Sequence, residues 1–328
     1  MATIIRGTGH WVPERYVPNS ELAPQVGSDP EWIESRTGIQ GRYFASGEAT
    51  SDLALHAAEQ ALEDAGMVPE DLDAIVFATL SPDVVFPGSG VFLQRKLGLT
   101  SIPAIDVRNQ CSGFLYGLSV AHGWLSAGMY ERILLVGAEV HSAGLDFSER
   151  GRSVTVLFGD GAGAWVLERD DQATGGLRDI RIGADGRGAE NLMCRTPGSA
   201  TRPHVDTSAL DAGDHFPEMK GRAVFRAAVE TLEREVRSLL DDHKLDPSEI
   251  LFVPHQANLR ISELVAQRLE IPDEQVVSTI QSFGNTTAAS IPTAFDVARR
   301  RGDMPKGTHV VTAAFGSGYT WGTALIDA

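Results

Sequence analysis

The segment Asp106-Val107-Arg108-Asn109-Gln110-Cys111-Ser112-Gly113-Phe114 joins a predicted strand to a predicted helix. Cys111 lies at this junction, two residues before the glycine that opens the helix. At a helix N-terminus, free N–H groups and the positive end of the dipole stabilise a thiolate, and the same N–H groups can bind an oxyanion. We therefore expect a lowered pKa for Cys111 and treat it as a candidate nucleophile. The alternative is a buried structural cysteine.

Two later junctions carry residues that suit a cysteine nucleophile. His255 directly follows the apolar run Leu251-Phe252-Val253-Pro254, and Asn285 lies just before another predicted helix. A lone histidine is more often structural, and asparagine is a good helix cap. Cysteine, histidine and asparagine nevertheless form a chemically sensible set for acyl transfer. We predict that the three converge, and that the turn containing Ser317 supplies a second oxyanion N–H.

Hydrophobic periodicity along the chain indicates an α/β fold. Short β-branched runs alternate with helical stretches, as expected when helices cover both faces of a largely parallel sheet. The clearest predicted strands cover residues 74–78, 133–136, 164–167, 250–253 and 309–312. The clearest predicted helices cover residues 52–65, 113–127, 225–240, 259–269 and 288–300.

The same order of elements occurs twice in the chain, which predicts two related halves. A predicted strand at 102–107 leads to Cys111, and a predicted strand at 276–280 leads to Asn285. We place the boundary near Gly175, which gives an N-terminal half 1–174 and a C-terminal half 175–328. If the halves pack about a pseudo-two-fold axis, their strand-to-helix junctions meet where α/β folds bind ligands.

Composition restricts the class of partner and the compartment. The chain has 328 residues and a net charge of −16, which disfavours nucleic acid and anionic membranes as main partners. An acidic partner would need a local basic patch. Cys111 and Cys194 are the two cysteines, and we interpret them as reduced thiols of a cytoplasmic protein. The N-terminus from Met1 does not resemble a secretory signal.

Three further features of the sequence could suggest a ligand site: a glycine-rich segment, a pair of possible metal ligands and a long segment without periodicity. Gly159-Asp160-Gly161-Ala162-Gly163 lacks the Lys-Ser/Thr of a phosphate loop and is expected to form a tight turn. Glu139 and His141 lack further metal-ligand spacing, so no metal is predicted. Residues 185–219 show no periodicity, and a connection of that length is usually functional. We expect it to form a cap or the wall of a substrate channel.

Ordered motifs along nearly the whole chain resemble the β-ketoacyl-acyl carrier protein synthase III enzymes of the thiolase superfamily. The motifs are Glu31-Trp32-Ile33, Arg36-Thr37-Gly38-Ile39, Gln110 to Leu118, Arg150-Gly151, Phe158 to Ala164, Val253 to Arg260, Gly284-Asn285-Thr286 and Tyr319-Thr320-Trp321-Gly322. The resemblance implies a homodimer of duplicated thiolase-like halves in a five-layered α-β-α-β-α architecture. It implies an acyltransferase that condenses an acyl-CoA primer with a malonyl thioester, without a cofactor, in fatty-acid or secondary-metabolite biosynthesis.

The resemblance also implies roles for individual residues. Cys111, His255 and Asn285 match the catalytic triad, and the N–H groups of Cys111 and Ser317 match the oxyanion hole. Trp32 and Arg150 resemble the pair that sandwiches the CoA adenine. By the same resemblance, Arg36 contacts CoA, and Phe86 reaches the acyl pocket of the partner subunit. Carrier-protein docking falls to Arg222, Arg226 and Arg260.

Departures from the family pattern leave the acyl chain open. Gln110 and Ser317 replace smaller residues, and the segment 185–219 is longer than in the housekeeping enzymes. These features resemble a divergent branch that includes the ketosynthase-like enzyme of alkylquinolone signalling. Two alternatives to condensation remain: an acyltransferase that passes the acyl group to an amine or alcohol, and a non-catalytic partner subunit.

Overall fold

The computed structural model describes residues 2–328, and Met1 lies outside the described residues. Its strands are β1 Ala2–Trp11, β2 Arg15–Pro18, β3 Gly41–Phe44, β4 Ala74–Ala78, β5 Ala104–Val107, β6 Arg132–Glu139, β7 Gly161–Asp170, β8 Gly176–Ala184, β9 Leu192–Met193, β10 Glu218–Met219, β11 Ile250–Pro254, β12 His309–Gly316 and β13 Thr320–Asp327. Its α-helices are α1 Asn19–Leu22, α2 Pro30–Thr37, α3 Thr50–Ala65, α4 Ser89–Lys96, α5 Gly113–Ser126, α6 Arg152–Thr155, α7 Thr207–Ala212, α8 Gly221–His243, α9 Leu259–Leu269, α10 Ile280–Phe283 and α11 Ser290–Arg301.

Two mixed sheets form the framework of the fold. The first has the strand order β1-β7-β6-β4-β5 and the second has the order β11-β12-β13-β8. Strand β4 pairs in parallel with β5 and β6, and β11 pairs in parallel with β12. All five residues of β4 are buried, which explains its continuous apolar run, because helices cover both of its faces. The five clearest predicted strands and the five clearest predicted helices are confirmed.

Helices α5 and α11 lie between the two sheets and share one apolar core with both. In that core the ring of Trp165 contacts Phe114 of α5 and Phe295 of α11, with ring centroids 4.8 and 4.6 Å apart. Helices α3 and α4 cover the outer face of the first sheet, and α8 and α9 cover the outer face of the second. The layers therefore follow the α-β-α-β-α order that the resemblance implies.

The predicted strand at 276–280 is wrong. Val276 makes one isolated bridge to Phe252, and helix α10 already begins at Ile280. The side-chain oxygen of Gln256 accepts the N–H groups of Thr279 (2.9 Å) and Ile280 (3.2 Å), so those groups are not available to a sheet.

Strand β1 escapes the sequence analysis because glycines interrupt it. A Cβ at Gly7 would lie 2.1 Å from the carbonyl oxygen of Ala61 in α3, and a Cβ at Gly9 would lie 2.4 Å from that of Ala57. Glycine weakens a strand locally, yet here it lets the helix pack directly on the sheet. The packing requirement therefore outweighs the weak local signal.

We propose residues 1–174 and 175–328 as the two units of the chain. The strands of the first sheet end at Asp170, and those of the second begin at Gly176. The carboxyl ends of β5, β6, β11 and β12 lead to Cys111, His141, His255 and Ser317, respectively.

Candidate active site

Cys111 lies in a single turn of 3-10 helix, Gln110–Ser112, that leads directly into α5. The residue is buried, with 7% of its surface exposed. Gln110 has a φ of +47°, a left-handed conformation that is unusual for a residue other than glycine. Conformations of this kind cost on the order of 1 kcal/mol and cluster at functional sites. The chain therefore bends sharply immediately before the sulfur-bearing residue.

The turn after β12 packs tightly against Cys111. A Cβ at Gly316 would lie 3.0 Å from the Cβ of Cys111, so glycine permits the close approach. The hydroxyl of Ser112 donates to Thr320 Oγ1 (2.8 Å), and the hydroxyl of Thr320 donates to the carbonyl oxygen of Ser317 (3.0 Å). These contacts hold Cys111 and Ser317 in the wall of one chamber.

His255 is a buried, neutral histidine with one nitrogen left without a protein partner. Its Nδ1 lies 2.5 Å from Ser290 Oγ, which also accepts the N–H of Gln256 at 3.4 Å. We assign the serine proton to the bond with Nδ1, which leaves the histidine hydrogen on Nε2. Within residues 2–328, Nε2 is buried and has no hydrogen-bond partner. Burial lowers the pKa of His255 to about 3, so the ring is uncharged at neutral pH.

Asn285 is oriented by its own loop. Its backbone N–H donates to the carbonyl oxygen of Leu157 (2.8 Å), and its side-chain Oδ1 accepts the N–H of Thr287 (2.9 Å). The amide oxygen is therefore occupied, while Nδ2 has no hydrogen-bond partner in the described part of the chain. The carboxamide presents a hydrogen-bond donor.

The structure brings Cys111, His255 and Asn285 to the wall of one cavity of about 110 Å³, which we call the first chamber. Most of its other walls are apolar side chains from α8, α9 and neighbouring segments. Among them are Leu157, Met219, Val224, Phe225, Ile261 and Phe315. Two neutral N–H donors therefore face an enclosed, largely apolar space beside a cysteine.

A second chamber of about 270 Å³ also has Cys111 in its wall. His141 lines it and is buried, with its ring 4.4 Å from that of Phe158 and its Nε2 2.5 Å from Thr287 Oγ1. Burial lowers the pKa of His141 to about 3. The second chamber also includes Cys194, which is exposed and donates to the carbonyl oxygens of neighbouring loop residues. Cys111 thus lies where two chambers meet.

The expected lowering of the pKa of Cys111 is wrong for this structure. Burial, assisted by the negative charge of Glu139, raises the pKa of the thiol to about 12. The nearby N–H of Cys111 and hydroxyl of Thr287 favour the thiolate and offset this only in part. Burial also raises the pKa of Glu139 to about 7, although Ser81 and other groups donate to it. Cys111 is therefore mostly a protonated thiol in the resting protein.

Arg152, and not Arg150, is the arginine that contacts Trp32 in this structure. The guanidinium of Arg152 lies over the Trp32 ring, 5.6 Å from its centroid. Arg150 instead pairs with Asp146 (2.5 Å) and donates to the carbonyl oxygen of Ala212 (2.9 Å). The carboxylate of Asp146, four residues earlier in the chain, holds Arg150 beside the segment 185–219, and Arg152 lies over the indole.

Four predicted basic residues lie on the surface near the first chamber. Arg36, Arg222, Arg226 and Arg260 are all exposed, and none has an ion-pair partner among residues 2–328. The carbonyl oxygen of Arg36 accepts from Asn258 Nδ2 (3.0 Å), which joins the end of α2 to the start of α9. Arg222 and Arg226 lie on the first turns of α8, beside Val224 and Phe225 of the chamber wall.

Phe86 lies at the tip of an exposed loop and lines neither chamber of its own chain. Its exposed fraction is 84%, and the neighbouring Val84 and Val85 are 44% and 68% exposed. Such an apolar tip is typical of a contact with another molecule.

The segment 185–219 is more regular than its sequence suggests, because it contains α7 and the paired strands β9 and β10. Leu192 lines both chambers, and its carbonyl oxygen accepts from the Ser317 hydroxyl. The sequence analysis did not assign Thr287 or Arg152 to the site and gave His141 a structural role. The one signal in the sequence was that each of these residues lies close along the chain to a motif of the family.

In residues 2–328, no group of three or more His, Cys, Asp or Glu side chains is arranged to hold a metal ion. Across the same residues, no helix combines the length and the apolar character needed to cross a bilayer.

Comparison with known proteins identifies the family. The model of 3-oxoacyl-[acyl-carrier-protein] synthase III matches residues 105–186, and the model of its C-terminal region matches residues 240–328. A beta-ketoacyl-[acyl-carrier-protein] synthase III of Helicobacter pylori is 44% identical over 318 residues, with 96% of this chain and 95% of that protein covered. The protein of the same name from Sulfurimonas denitrificans is 41% identical, with 98% and 96% covered.

Solved structures show the same similarity over the full chain. The 3-oxoacyl-[acyl-carrier-protein] synthase III of Aquifex aeolicus superposes with a TM-score of 0.90 at 37% identity, with 99% of this chain and all of that chain covered. A priming beta-ketosynthase of a polyketide biosynthetic pathway gives 0.90 at 33% identity, with 99% and 96% covered. The chain therefore belongs to the β-ketoacyl-acyl carrier protein synthase III family of the thiolase superfamily.

Proposed function

We propose that this protein condenses an acyl-CoA primer with a malonyl thioester, with loss of CO₂, through an acyl-enzyme on Cys111. The observation that carries the proposal is the position of Cys111 between two chambers, one of which presents the unpartnered N–H groups of His255 and Asn285. Two chambers at one sulfur suit a reaction in which two substrates meet at the same atom. The names of the relatives support this activity.

In the first half-reaction, the sulfur of Cys111 attacks the carbonyl carbon of the primer thioester. The bond from that carbon to the CoA sulfur breaks, and the departing CoA thiolate takes up the proton lost by the thiol. The N–H groups of Cys111 and Ser317 are proposed to stabilise the oxyanion formed on the way. Because burial raises the pKa of Cys111, only a small fraction of the free enzyme is thiolate at neutral pH.

In the second half-reaction, a malonyl thioester enters the first chamber. Its bond to the carboxylate breaks, CO₂ leaves, and the electron pair forms an enolate whose oxygen accepts from His255 Nε2 and Asn285 Nδ2. The enolate carbon attacks the acyl group, a carbon–carbon bond forms, and the Cys111 thiolate departs and recovers a proton. Neutral donors suit this step. The uncharged ring of His255 can stabilise the negative charge that develops on the enolate oxygen, but it does not form an ion pair with the malonyl carboxylate before that group leaves.

The surface around the first chamber suits delivery of CoA and carrier-protein thioesters. We propose that Trp32 contacts the CoA adenine with Arg152, in place of Arg150, as its partner. Arg36 would contact the phosphates, and Arg222, Arg226 and Arg260 would receive an acidic carrier protein. Local positive charge of this kind can bind an acidic partner although the whole chain carries −16.

We further propose a homodimer in the cytoplasm in which Phe86 of each copy reaches the second chamber of the other. The exposed apolar loop supports this contact, and the outer edge of β5 in the first sheet is available for pairing. A role in fatty-acid or secondary-metabolite biosynthesis stays a prediction. Membership of a divergent branch of the family, inferred from Gln110 and Ser317, also stays a prediction.

Product analysis tests the proposal. Wild-type protein is incubated with radiolabelled acetyl-CoA or a longer acyl-CoA and malonyl-carrier protein, next to Cys111→Ala. We expect a labelled 3-ketoacyl thioester and an equal amount of CO₂ from the wild type only. Equal product from both proteins would reject the proposal. Transfer of label to an amine or alcohol without malonyl thioester would establish the non-condensing acyltransferase instead.

A further inference from the structure

The second chamber contains polar groups that a plain alkyl chain cannot satisfy. Its walls include apolar side chains such as Leu80, Phe158 and Met193, but also Arg108, Gln110 and His141. His141 is more than nine-tenths buried, and its neutral ring is the polar group set deepest in the protein among these three.

Hydrogen bonding defines which face His141 offers to the second chamber. His141 Nε2 lies 2.5 Å from Thr287 Oγ1, so this nitrogen is engaged with the protein. In the described part of the chain, Nδ1 has no hydrogen-bond partner. A ligand group that hydrogen-bonds with this unpartnered ring nitrogen therefore gains affinity.

Donors are also present in the same chamber. Gln110 Nε2 makes only a long contact to the carbonyl oxygen of Arg108 (3.4 Å), and the guanidinium of Arg108 has no ion-pair partner within residues 2–328. An unpartnered imidazole nitrogen and nearby donors match a hydroxyl group, which both donates and accepts. We propose that the second chamber selects a primer whose acyl chain carries a hydroxyl group, with His141 as the specificity-determining residue.

An acyl chain that ends in a carboxylate fits less well. It would place negative charge near Glu139, which lies close enough to Cys111 to act on its charge. The exposed Arg108 offers only solvent-screened compensation. The hydroxyacyl chain is therefore preferred over both the alkyl and the carboxyalkyl chain. This inference rests on the proposed function, since the acyl group reaches the chamber by transfer to Cys111.

Matched acyl-CoA substrates test the inference. The rate of acylation of Cys111 is measured by intact-protein mass spectrometry with each enantiomer of 3-hydroxybutyryl-CoA, with isovaleryl-CoA, which has a methyl in place of the hydroxyl, and with succinyl-CoA. We expect the better hydroxyacyl enantiomer to acylate wild type about tenfold faster than isovaleryl-CoA. In His141→Leu that ratio should fall to about one or reverse. Met193→Leu, an apolar exchange in the same chamber, should keep the wild-type ratio.

Each outcome separates this inference from the proposed function. If isovaleryl-CoA or succinyl-CoA acylates wild type as fast as the hydroxyacyl substrate, the inference is overturned while the condensing function stands. A wild-type preference that persists in His141→Leu overturns the role of His141. If no acyl-CoA acylates Cys111, both proposals fail. Because the two acylation rates are compared on the same protein, a general loss of activity in a variant cancels from their ratio. If His141→Leu does not fold, the substrate preference of the wild type alone tests the inference.

Discussion

Replacement of His255 by alanine is expected to separate the two half-reactions. In the resting protein His255 Nε2 has no partner among residues 2–328, so its hydrogen bond is reserved for substrate. The proposed oxyanion hole for acylation uses the N–H groups of Cys111 and Ser317, which the substitution leaves in place. Decarboxylation and condensation should therefore fall far more than acylation.

The magnitude follows from the loss of one enclosed donor to a developing oxyanion. Removal of such a donor typically costs about 2.7–4 kcal/mol, or about 10²- to 10³-fold in rate. We expect His255→Ala to lose about that factor in the release of CO₂ from malonyl-carrier protein. Acylation of Cys111 should stay within about tenfold of wild type, because no donor to the first oxyanion is removed.

The two rates are measured separately, acylation by intact-protein mass spectrometry and decarboxylation by release of labelled CO₂. Ser290→Ala is the matched control, since it keeps the imidazole but removes the hydroxyl 2.5 Å from Nδ1. An intermediate defect is expected, because the imidazole stays in place but loses the hydroxyl that orients it. Decarboxylation by His255→Ala within about fivefold of wild type would refute the role given to Nε2.

Three further predictions concern the thiol, the CoA surface and the packing around the site. Because burial raises the pKa of Cys111 to about 12, its alkylation by iodoacetamide should accelerate about tenfold per pH unit from pH 7 to 9; a plateau near pH 8 would contradict this. Arg152→Ala should raise the KM for acyl-CoA about two- to fivefold, because the cation–π contact with Trp32 is lost. An equal rise in KM for Arg150→Ala would contradict a special role for the contact between Arg152 and Trp32. A Cβ at Gly137 would lie 2.3 Å from the carbonyl oxygen of Ala288, so Gly137→Ala should lower the free energy of unfolding by roughly 3 kcal/mol or more in urea titration; a loss below about 1 kcal/mol would show that the loop yields easily.

The sequence permits prediction of the fold where local signals and tertiary packing agree. The runs at 74–78 and 250–253 are apolar because both faces of their strands are covered, and such runs stand out without a structure. Strand β1 does not stand out, because Gly7 and Gly9 serve the approach of α3 instead of strand propensity. The segment near Thr279 resembles a strand, but a distant side chain, Gln256, takes up its N–H groups.

The candidate active site was also predictable only in part from the sequence. Cys111, His255 and Asn285 each follow a turn or strand exit in the chain, so their approach to one cavity can be expected from topology. The pKa of Cys111 depends on burial by residues from both halves, which no local segment reveals. Likewise, the contact of Arg152 with Trp32 depends on side-chain directions set by Asp146, which spacing alone does not give.

The central claim is that one sulfur carries the acyl group between two substrates. The most direct measurement is peptide mapping of the wild-type protein after exposure to acyl-CoA, followed by a second mapping after addition of malonyl-carrier protein. The account predicts one acyl group per chain, located on Cys111, that disappears upon the second addition as one ketoacyl product and one CO₂ form. An acyl group on Cys194 or elsewhere, or product formed while the Cys111 label persists, would contradict it.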